Sequence, residues 1–401
     1  MKRVTAFILF ICTILFCAGC QAPAEDLQNS ISDPSSPGAT IADADIQNPS
    51  VYFENLYAIS VPLATEQIRA QDGALVFEYI EPVMYLTVPD NEVARKIIVD
   101  FLTRIDSSRS AAESVHMQAL NDYSKDTDWI PYTYRIHYNP MRMDPGVLSL
   151  LGEVNTFSGG SHPDRTFVSA SYDMMTGDTL TLGSILYHVD TKDDLCQLVI
   201  DKLDVLSNTT HLYDYYAEAA EDYFNQDESH MESFYFTEDS LCFYFAPYEI
   251  APYSSGIIIV SIPYTELTGI IGDQFFPAEA QVTTGNVEAH LFSDVDLEQY
   301  QQFAELTTEV GGEKIIISTD GIIQNVTIHN GIWNADGTLF TVESTLFYAN
   351  ALSSTDAIML ETVVPDSLPA LMLTYQSNGK AYSYYISRDP ANGAILLNAV
   401  K

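Results

Sequence analysis

Residues 243–256 read Phe-Tyr-Phe-Ala-Pro-Tyr-Glu-Ile-Ala-Pro-Tyr-Ser-Ser-Gly, and residues 257–267 continue as Ile-Ile-Ile-Val-Ser-Ile-Pro-Tyr-Thr-Glu-Leu. Aromatic and β-branched residues dominate both ends, so the stretch predicts two strands around a loop. Two interpretations of the loop are open. It is a binding surface if Tyr248 and Tyr253 offer ring area and Glu249 offers charge. It is a packed corner if the rings cover a sheet edge and Gly256 adopts a backbone conformation that favours glycine.

Strands and helices are predicted on both sides of this stretch. Turn residues and hydrophobic periodicity predict a hairpin, two helices and two more strands just upstream: 165–173 with 179–182, 190–206 and 213–225, and 232–236 with 241–245. Further upstream the pattern predicts four extended segments, at 51–63, 74–87, 131–139 and 146–157. Between them, apolar spacing predicts a helix from Val93 to Ile105, capped by Asp90 or Asn91, with helix resuming over 110–123.

The last 120 residues differ from the preceding ones in their pattern of apolar and turn residues. Short strand-like runs separated by Gly, Asn and Asp turns recur at 287–292, 314–318, 322–328, 339–348, 357–363, 370–376, 380–387 and 394–398. This pattern favours a sandwich or barrel. The predicted fold class is therefore α+β, with antiparallel sheets and packed helices followed by a β-rich C-terminal domain. The predicted domains are 51–157, 158–276 and 277–401.

The N-terminus indicates where the protein resides. Met1-Lys2-Arg3 precedes an apolar run from Val4 to Phe16, and Cys17-Ala18-Gly19-Cys20 follows it. A run this short is typical of a signal peptide. The ending resembles the bacterial lipobox, so we expect residues 1–19 to be removed and Cys20 to carry lipid. Ordinary secretory cleavage is the alternative. Residues 20–50 have the composition of a disordered tether, which would span roughly 30 Å.

Charge limits the classes of partner. The chain has 17 basic and 55 acidic residues, for a net charge of −38. Such a surface repels nucleic acid and attracts cationic proteins, peptides or divalent ions. The alternative is that the charge serves solubility alone. Two cysteines remain in the body, Cys196 and Cys242, which could pair outside the cytoplasm, although two separate buried thiols are favoured.

Three blocks within residues 158–270 resemble the extracellular domain of the RsiV-like family of lysozyme-sensing anti-sigma factors. They are Gly159-Gly160-Ser161-His162, Ser171-Tyr172-Asp173 with Thr176-Gly177, and Pro247 to Gly256 followed by Ile262-Pro263-Tyr264. Residues 51–157 resemble, more weakly, the companion domain of that family and of PdaC-like peptidoglycan deacetylases. The resemblance implies an α+β extracellular domain, and in RsiV itself a surface that binds lysozyme.

The chain departs from these relatives in two ways. Only Met1-Lys2-Arg3 precedes the apolar run, whereas an anti-sigma factor needs a sigma-binding segment there, so we expect no transmembrane signalling by this chain alone. The metal-dependent catalytic domain of PdaC-like enzymes is also absent from the sequence. Because a shared fold does not transfer a function, lysozyme binding is a hypothesis here.

Catalytic and metal motifs are weak. His162 is interpreted as a turn histidine, with an active-site loop as the alternative, because a lone histidine without spaced partners says little about catalysis. Asp294-Val295-Asp296 is similar to part of a calcium loop but lacks the terminal Glu. No Gly-x-Ser-x-Gly, P-loop or His-Glu-x-x-His motif is present. We therefore expect no cofactor and no metal site.

The sequence favours a lipid-anchored, non-enzymatic protein on the extracytoplasmic face of a Gram-positive-type membrane. Its expected partners are the membrane, through the lipid, and a cationic protein such as lysozyme, a cationic peptide or a cell-wall component. The candidate binding residues are Tyr248, Glu249 and Tyr253. The alternatives are a cell-wall hydrolase that uses a carboxylate pair and an accessory subunit of a membrane or wall system.

Overall fold

The computed structural model describes residues 55–124, 128–225, 232–277, 283–334, 337–365 and 368–400. The predicted signal peptide, Cys20 and the tether lie outside these residues. The helices are α1 (Asn91–Asp122), α2 (Leu182–Ile185), α3 (Thr191–Leu206) and α4 (Tyr216–Phe224). The strands are β1 (Ala58–Ser60), β2 (Leu63–Arg69), β3 (Leu75–Pro82), β4 (Tyr85–Thr87), β5 (Tyr132–Met143), β6 (Val147–Phe157), β7 (Asp164–Asp173), β8 (Phe234–Phe236), β9 (Ser240–Phe245), β10 (Ile258–Pro263), β11 (Val287–Leu291), β12 (Gln302–Thr307), β13 (Glu313–Thr319), β14 (Ile323–Trp333), β15 (Phe340–Leu352), β16 (Asp356–Thr362), β17 (Leu371–Ser377), β18 (Lys380–Arg388) and β19 (Ile395–Ala399). The fold is α+β, as predicted.

In the N-terminal part of the described chain, a five-stranded sheet and one long helix pack together as two layers. The strand order is β2-β3-β5-β6-β7, and α1 covers one face. Helix α1 begins where predicted, because the Asp90 side chain accepts a hydrogen bond from the Glu92 amide at 2.8 Å. Its buried stripe includes Ile97 and Phe101, both fully buried. The helix is continuous through residue 122, whereas the sequence pattern predicted two segments.

A three-stranded sheet, β10-β9-β8, lies under α3 and α4. The second strand of the predicted hairpin, over 179–182, is wrong: this segment makes a single β-bridge, between Tyr172 and Thr179. The physical reason is local: Thr181 and Ser184 each accept a hydrogen bond from the other's amide, which caps α2 and ends the extended chain.

The C-terminal region is a two-sheet sandwich. The seven-stranded sheet β19-β18-β17-β14-β15-β1-β4 packs on the four-stranded sheet β11-β13-β16-β12, with Phe347 and Ile358 fully buried between them. Neither sheet closes into a barrel in the described ranges. Strand β12 was not predicted, and it pairs in parallel with β16.

The sheets cross the predicted domain boundaries. β6 and β7 are paired neighbours on either side of residue 157, and β1 inserts Ile59 between the C-terminal strand β15 and β4. Residues 47–401 form one compact unit. The division into three domains stays a prediction. Cys196 and Cys242 are both buried and free, so they do not pair. None of the helices in the described ranges is both long and apolar enough to cross a bilayer.

Candidate binding surface

The loop between β9 and β10 holds Tyr248 in an unusual backbone conformation. Its φ is +75°, and its side chain is 66% exposed. Two backbone hydrogen bonds fix the turn: Tyr248 N–H donates to Ala251 O at 2.9 Å, and Glu249 N–H donates to Ala246 O at 3.2 Å. Positive φ is uncommon for a bulky residue and is more costly than for glycine. The loop therefore holds an aromatic ring outward at some conformational cost.

Tyr248 is the outermost member of a ring stack, formed by Tyr248, Tyr253 and His162. The ring centroids of Tyr248 and Tyr253 lie 5.9 Å apart, and those of Tyr253 and His162 lie 4.7 Å apart, with interplanar angles of 30° and 27°. The Tyr253 hydroxyl donates to Pro163 O at 3.1 Å. The stack thus joins two sequence blocks that carried the family resemblance and leaves one tyrosine face open to solvent.

Glu249 forms a hydrogen bond within its own loop. Its Oε2 accepts a hydrogen bond from the Ala246 amide at 2.7 Å. Burial raises the pKa of Glu249, and the hydrogen bond from Ala246 opposes that shift. Gly256 closes the loop with a φ of +70°, although a Cβ there would meet no atom within 4 Å. Backbone conformation alone accounts for the glycine.

The base of the loop is packed. Ile250 and Ala251 are fully buried, and the Tyr213 amide donates to Ile250 O at 2.9 Å. Each interpretation of the loop therefore describes one part of it: the base is a packed corner, and Tyr248 projects outward. His162 Nδ1 lies 3.1 Å from both Pro163 O and Tyr253 Oη, so the ring contacts its neighbouring backbone and the stack.

A cavity of about 340 Å³, which we name the slot, opens near the start of β7. Four strands contribute its walls: Asn139 and Met141 from β5, Leu151 and Glu153 from β6, Arg165 and Phe167 from β7, and Val342 to Thr345 from β15. Arg165 lies three residues after His162, so the slot begins roughly 10 Å of extended chain from the ring stack. None of the slot residues was predicted, because strands distant in sequence bring them together.

A second cavity, of about 360 Å³, has an acidic lining on the C-terminal sandwich. Its carboxylates are Glu288, Asp294, Asp296 and Asp320. Hydrogen bonds from Asn286 lower the pKa of Asp320, which favours the ionised form. Across the described residues, no group of three or more His, Cys, Asp or Glu side chains is arranged to hold a metal ion.

The carboxyl groups with raised pKa lie elsewhere. They are Glu238 and Glu249, where burial is the main cause, and neither lines a cavity described above.

Residues 186–265 match the family described as "Protein of unknown function (DUF3298)". The match includes the β9–β10 loop and two rings of the stack. Comparison with curated proteins gives no match. Two solved structures of DUF3298 family proteins are similar to this chain. The Bacteroides fragilis protein is 20% identical, with 54% of this chain and 94% of that chain covered and a TM-score of 0.38. The Pseudomonas aeruginosa protein is 19% identical, with 55% and 97% covered and a TM-score of 0.39.

Proposed function

We propose that this protein is a lipid-anchored extracytoplasmic binding protein, without enzymatic activity, that engages a cationic protein or peptide through the ring stack. The Ala18-Gly19-Cys20 pattern supports the anchor. The net charge of −38 supports the sign of the partner, since it attracts cations over distances of about a Debye length.

The observation that carries the proposal is the exposed, preorganised Tyr248. Its backbone is held by two hydrogen bonds and its ring is backed by Tyr253, so little side-chain entropy remains to be lost on binding. The face of a tyrosine attracts Lys and Arg side chains by about 0.5–2 kcal/mol. The net negative charge of the chain and an open aromatic face thus favour the same kind of partner.

Lysozyme is the first partner to test, because the RsiV-like resemblance includes two blocks that meet in the ring stack. Calorimetric titration of the full chain with lysozyme at increasing salt is the experiment. We expect binding that weakens as salt rises, because the attraction is largely electrostatic. Absence of salt-sensitive binding both to lysozyme and to polylysine would contradict the proposal. Salt-insensitive binding to wall glycan would point to a wall component instead.

Replacing Tyr248 with Ala tests the role of the stack. We expect the variant to bind lysozyme about tenfold more weakly, since a truncated aromatic contact costs on the order of 1–2 kcal/mol. Tyr85→Ala is the matched control, because Tyr85 is 49% exposed on β4 and belongs to no ring stack in the described ranges. Equal losses for both variants would show that the stack has no special role.

A further inference from the structure

Glu343, on the wall of the slot, occupies an irregular place in its sheet. The pairing of β14 with β15 passes from Asn330–Ser344 directly to Gly331–Val342, so Glu343 is an extra residue with no partner on β14. A β-bulge of this kind redirects a side chain and is common beside functional sites. Opposite the bulge, a Cβ on Gly331 would lie 2.3 Å from Thr341 O, so that position requires glycine.

The charges of the slot do not cancel. Glu153 forms an ion pair with Arg165 and also accepts a hydrogen bond from Asn155 at 2.6 Å. The Arg165 guanidinium in turn lies over the Phe167 ring at 5.6 Å. Glu343 is exposed and has no hydrogen bond or ion pair within the described parts of the chain. The slot therefore holds one glutamate with no hydrogen-bond or ion-pair partner among the described residues.

A neighbouring histidine does not supply the missing charge. His137 interacts electrostatically with both Glu153 and Glu343, but burial lowers its pKa below the usual value, and that is the largest effect on it. It is therefore neutral at neutral pH and adds no positive charge. Of the two arginines that act electrostatically on His137, Arg165 is paired with Glu153, and Arg135 forms no ion pair with Glu343 among the described residues.

The remaining lining of the slot combines apolar side chains with the polar Asn139, Ser344 and Thr345. Met141, Leu151, Phe167 and Val342 line it, and Val342 is 44% exposed. A long basic side chain matches such a site, because its methylene stem packs on apolar surface while its charged end reaches a carboxylate. The Thr345 amide donates to Asn139 Oδ1 at 2.7 Å and Leu346 O accepts from the Val61 amide, so these groups are already occupied. Residues 340–344 of β15 pair with β14 and with no second strand in the described ranges, which leaves their other edge for an extended segment.

We propose that the slot binds a Lys or Arg side chain from an extended segment of the cationic partner, with Glu343 as the counter-charge. This inference rests on the proposed function and adds the chemistry that the partner must present. The partner would lay one basic side chain in the slot while another group contacts Tyr248. His162 of the stack and Arg165 of the slot are separated by roughly 10 Å of extended chain, which is within the reach of a seven-residue extended segment of roughly 20 Å.

The experiment uses the full chain and two labelled seven-residue peptides that differ only at the centre, with Lys in one and uncharged norleucine in the other. Fluorescence anisotropy measures their affinities. We expect the Lys peptide to bind at least about tenfold more tightly, as for a charged contact on the order of 1.4 kcal/mol. Glu343→Gln should remove most of this preference while keeping the side-chain size. Glu309→Gln, at another exposed glutamate, should keep it.

The possible results distinguish failure of the slot assignment from failure of the proposed function. Equal preference in the two variants, or no preference in the unmodified chain, overturns the assignment of the slot. If the Tyr248→Ala effect on lysozyme persists in that case, the proposed function survives without the slot. If Lys-peptide binding depends on Glu343 but lysozyme does not bind, the slot stands and the partner must be another cationic chain. Thermal unfolding of each variant confirms that affinities compare folded proteins.

Discussion

At the scale of single residues, adjacent side chains in the β9–β10 loop differ in exposure and in what they contact. Tyr248 faces solvent, Glu249 binds the Ala246 amide, and Ile250 is fully buried. The sequence showed that Tyr248, Glu249 and Tyr253 belong together, because they share one short loop. It could not show that Glu249 accepts a hydrogen bond from the loop backbone, since that contact depends on the turn in which Tyr248 has a positive φ.

Arg142 is the most buried charge in the described residues and anchors the β9–β10 region to the N-terminal sheet. Its Nε donates to Asp144 Oδ2 at 2.6 Å, and its Nη1 donates to Tyr264 Oη and Phe275 O, both at 2.7 Å. We expect Asp144→Asn to lower the free energy of unfolding by about 3–5 kcal/mol, because it removes the ion-pair partner of a buried guanidinium. Urea denaturation measures the loss.

The matched control for this prediction is Glu266→Gln, which breaks the partly exposed pair with Lys202. We expect it to cost no more than about 1 kcal/mol, because solvent screens such pairs. A similarly small loss for Asp144→Asn would mean that the buried arginine is compensated by its other hydrogen bonds.

His329 makes stability depend on pH. It lies between Thr327 Oγ1 and Thr345 Oγ1, 2.7 and 3.0 Å from its ring nitrogens, and burial lowers its pKa to about 4. An unfolded histidine has a pKa of about 6.5. Between these values the unfolded chain binds a proton that the folded chain does not. The contribution of neutral His329 is therefore complete above pH 6.5 and decreases as pH falls toward 4.

We expect the difference in unfolding free energy between pH 7 and pH 4.5 to be smaller in His329→Gln than in the unmodified protein, by on the order of 1–3 kcal/mol. The many carboxylates contribute equally to both proteins and cancel in the comparison. Parallel pH profiles from urea titrations would show that His329 titrates normally in the folded state.

At the scale of elements, local signals were predictable and long-range pairings were not. The Asp90 cap and the apolar stripe of α1 are local, so the start of that helix was correctly predicted. Strand β12 was missed because Gln302 to Thr307 gains its order from a parallel partner, β16, about fifty residues later. The bulge at Glu343 is equally hidden, because it is defined by register with β14.

At the scale of the whole molecule, β1 and β4 join the N-terminal part of the described chain to its C-terminal part. These short N-terminal strands complete the C-terminal seven-stranded sheet, with Ala58 opposite Ala349 and Tyr85 opposite Ser60. Period-2 patterns predicted that these segments are extended, but patterning alone carries no information about which distant strand they join. Residues 58–87 consequently supply strands both to the five-stranded sheet and to the seven-stranded sheet, which the two ends of the body share.

This shared sheet predicts that the two ends of the body unfold together. The chain has two tryptophans. Trp129 stacks on Tyr132 at 5.0 Å beside the N-terminal sheet, and Trp333 contacts Phe340 at 5.4 Å in the sandwich. Trp129→Phe and Trp333→Phe variants each leave one fluorescent reporter. In urea, we expect the fluorescence midpoint of each variant to agree within about 0.3 M with its own circular-dichroism midpoint.

Using each variant's own midpoint removes any stability change that the substitution causes. A reporter that unfolds about 1 M earlier than the backbone signal would show that its half unfolds independently, and β1 would then be too weak to couple the two halves.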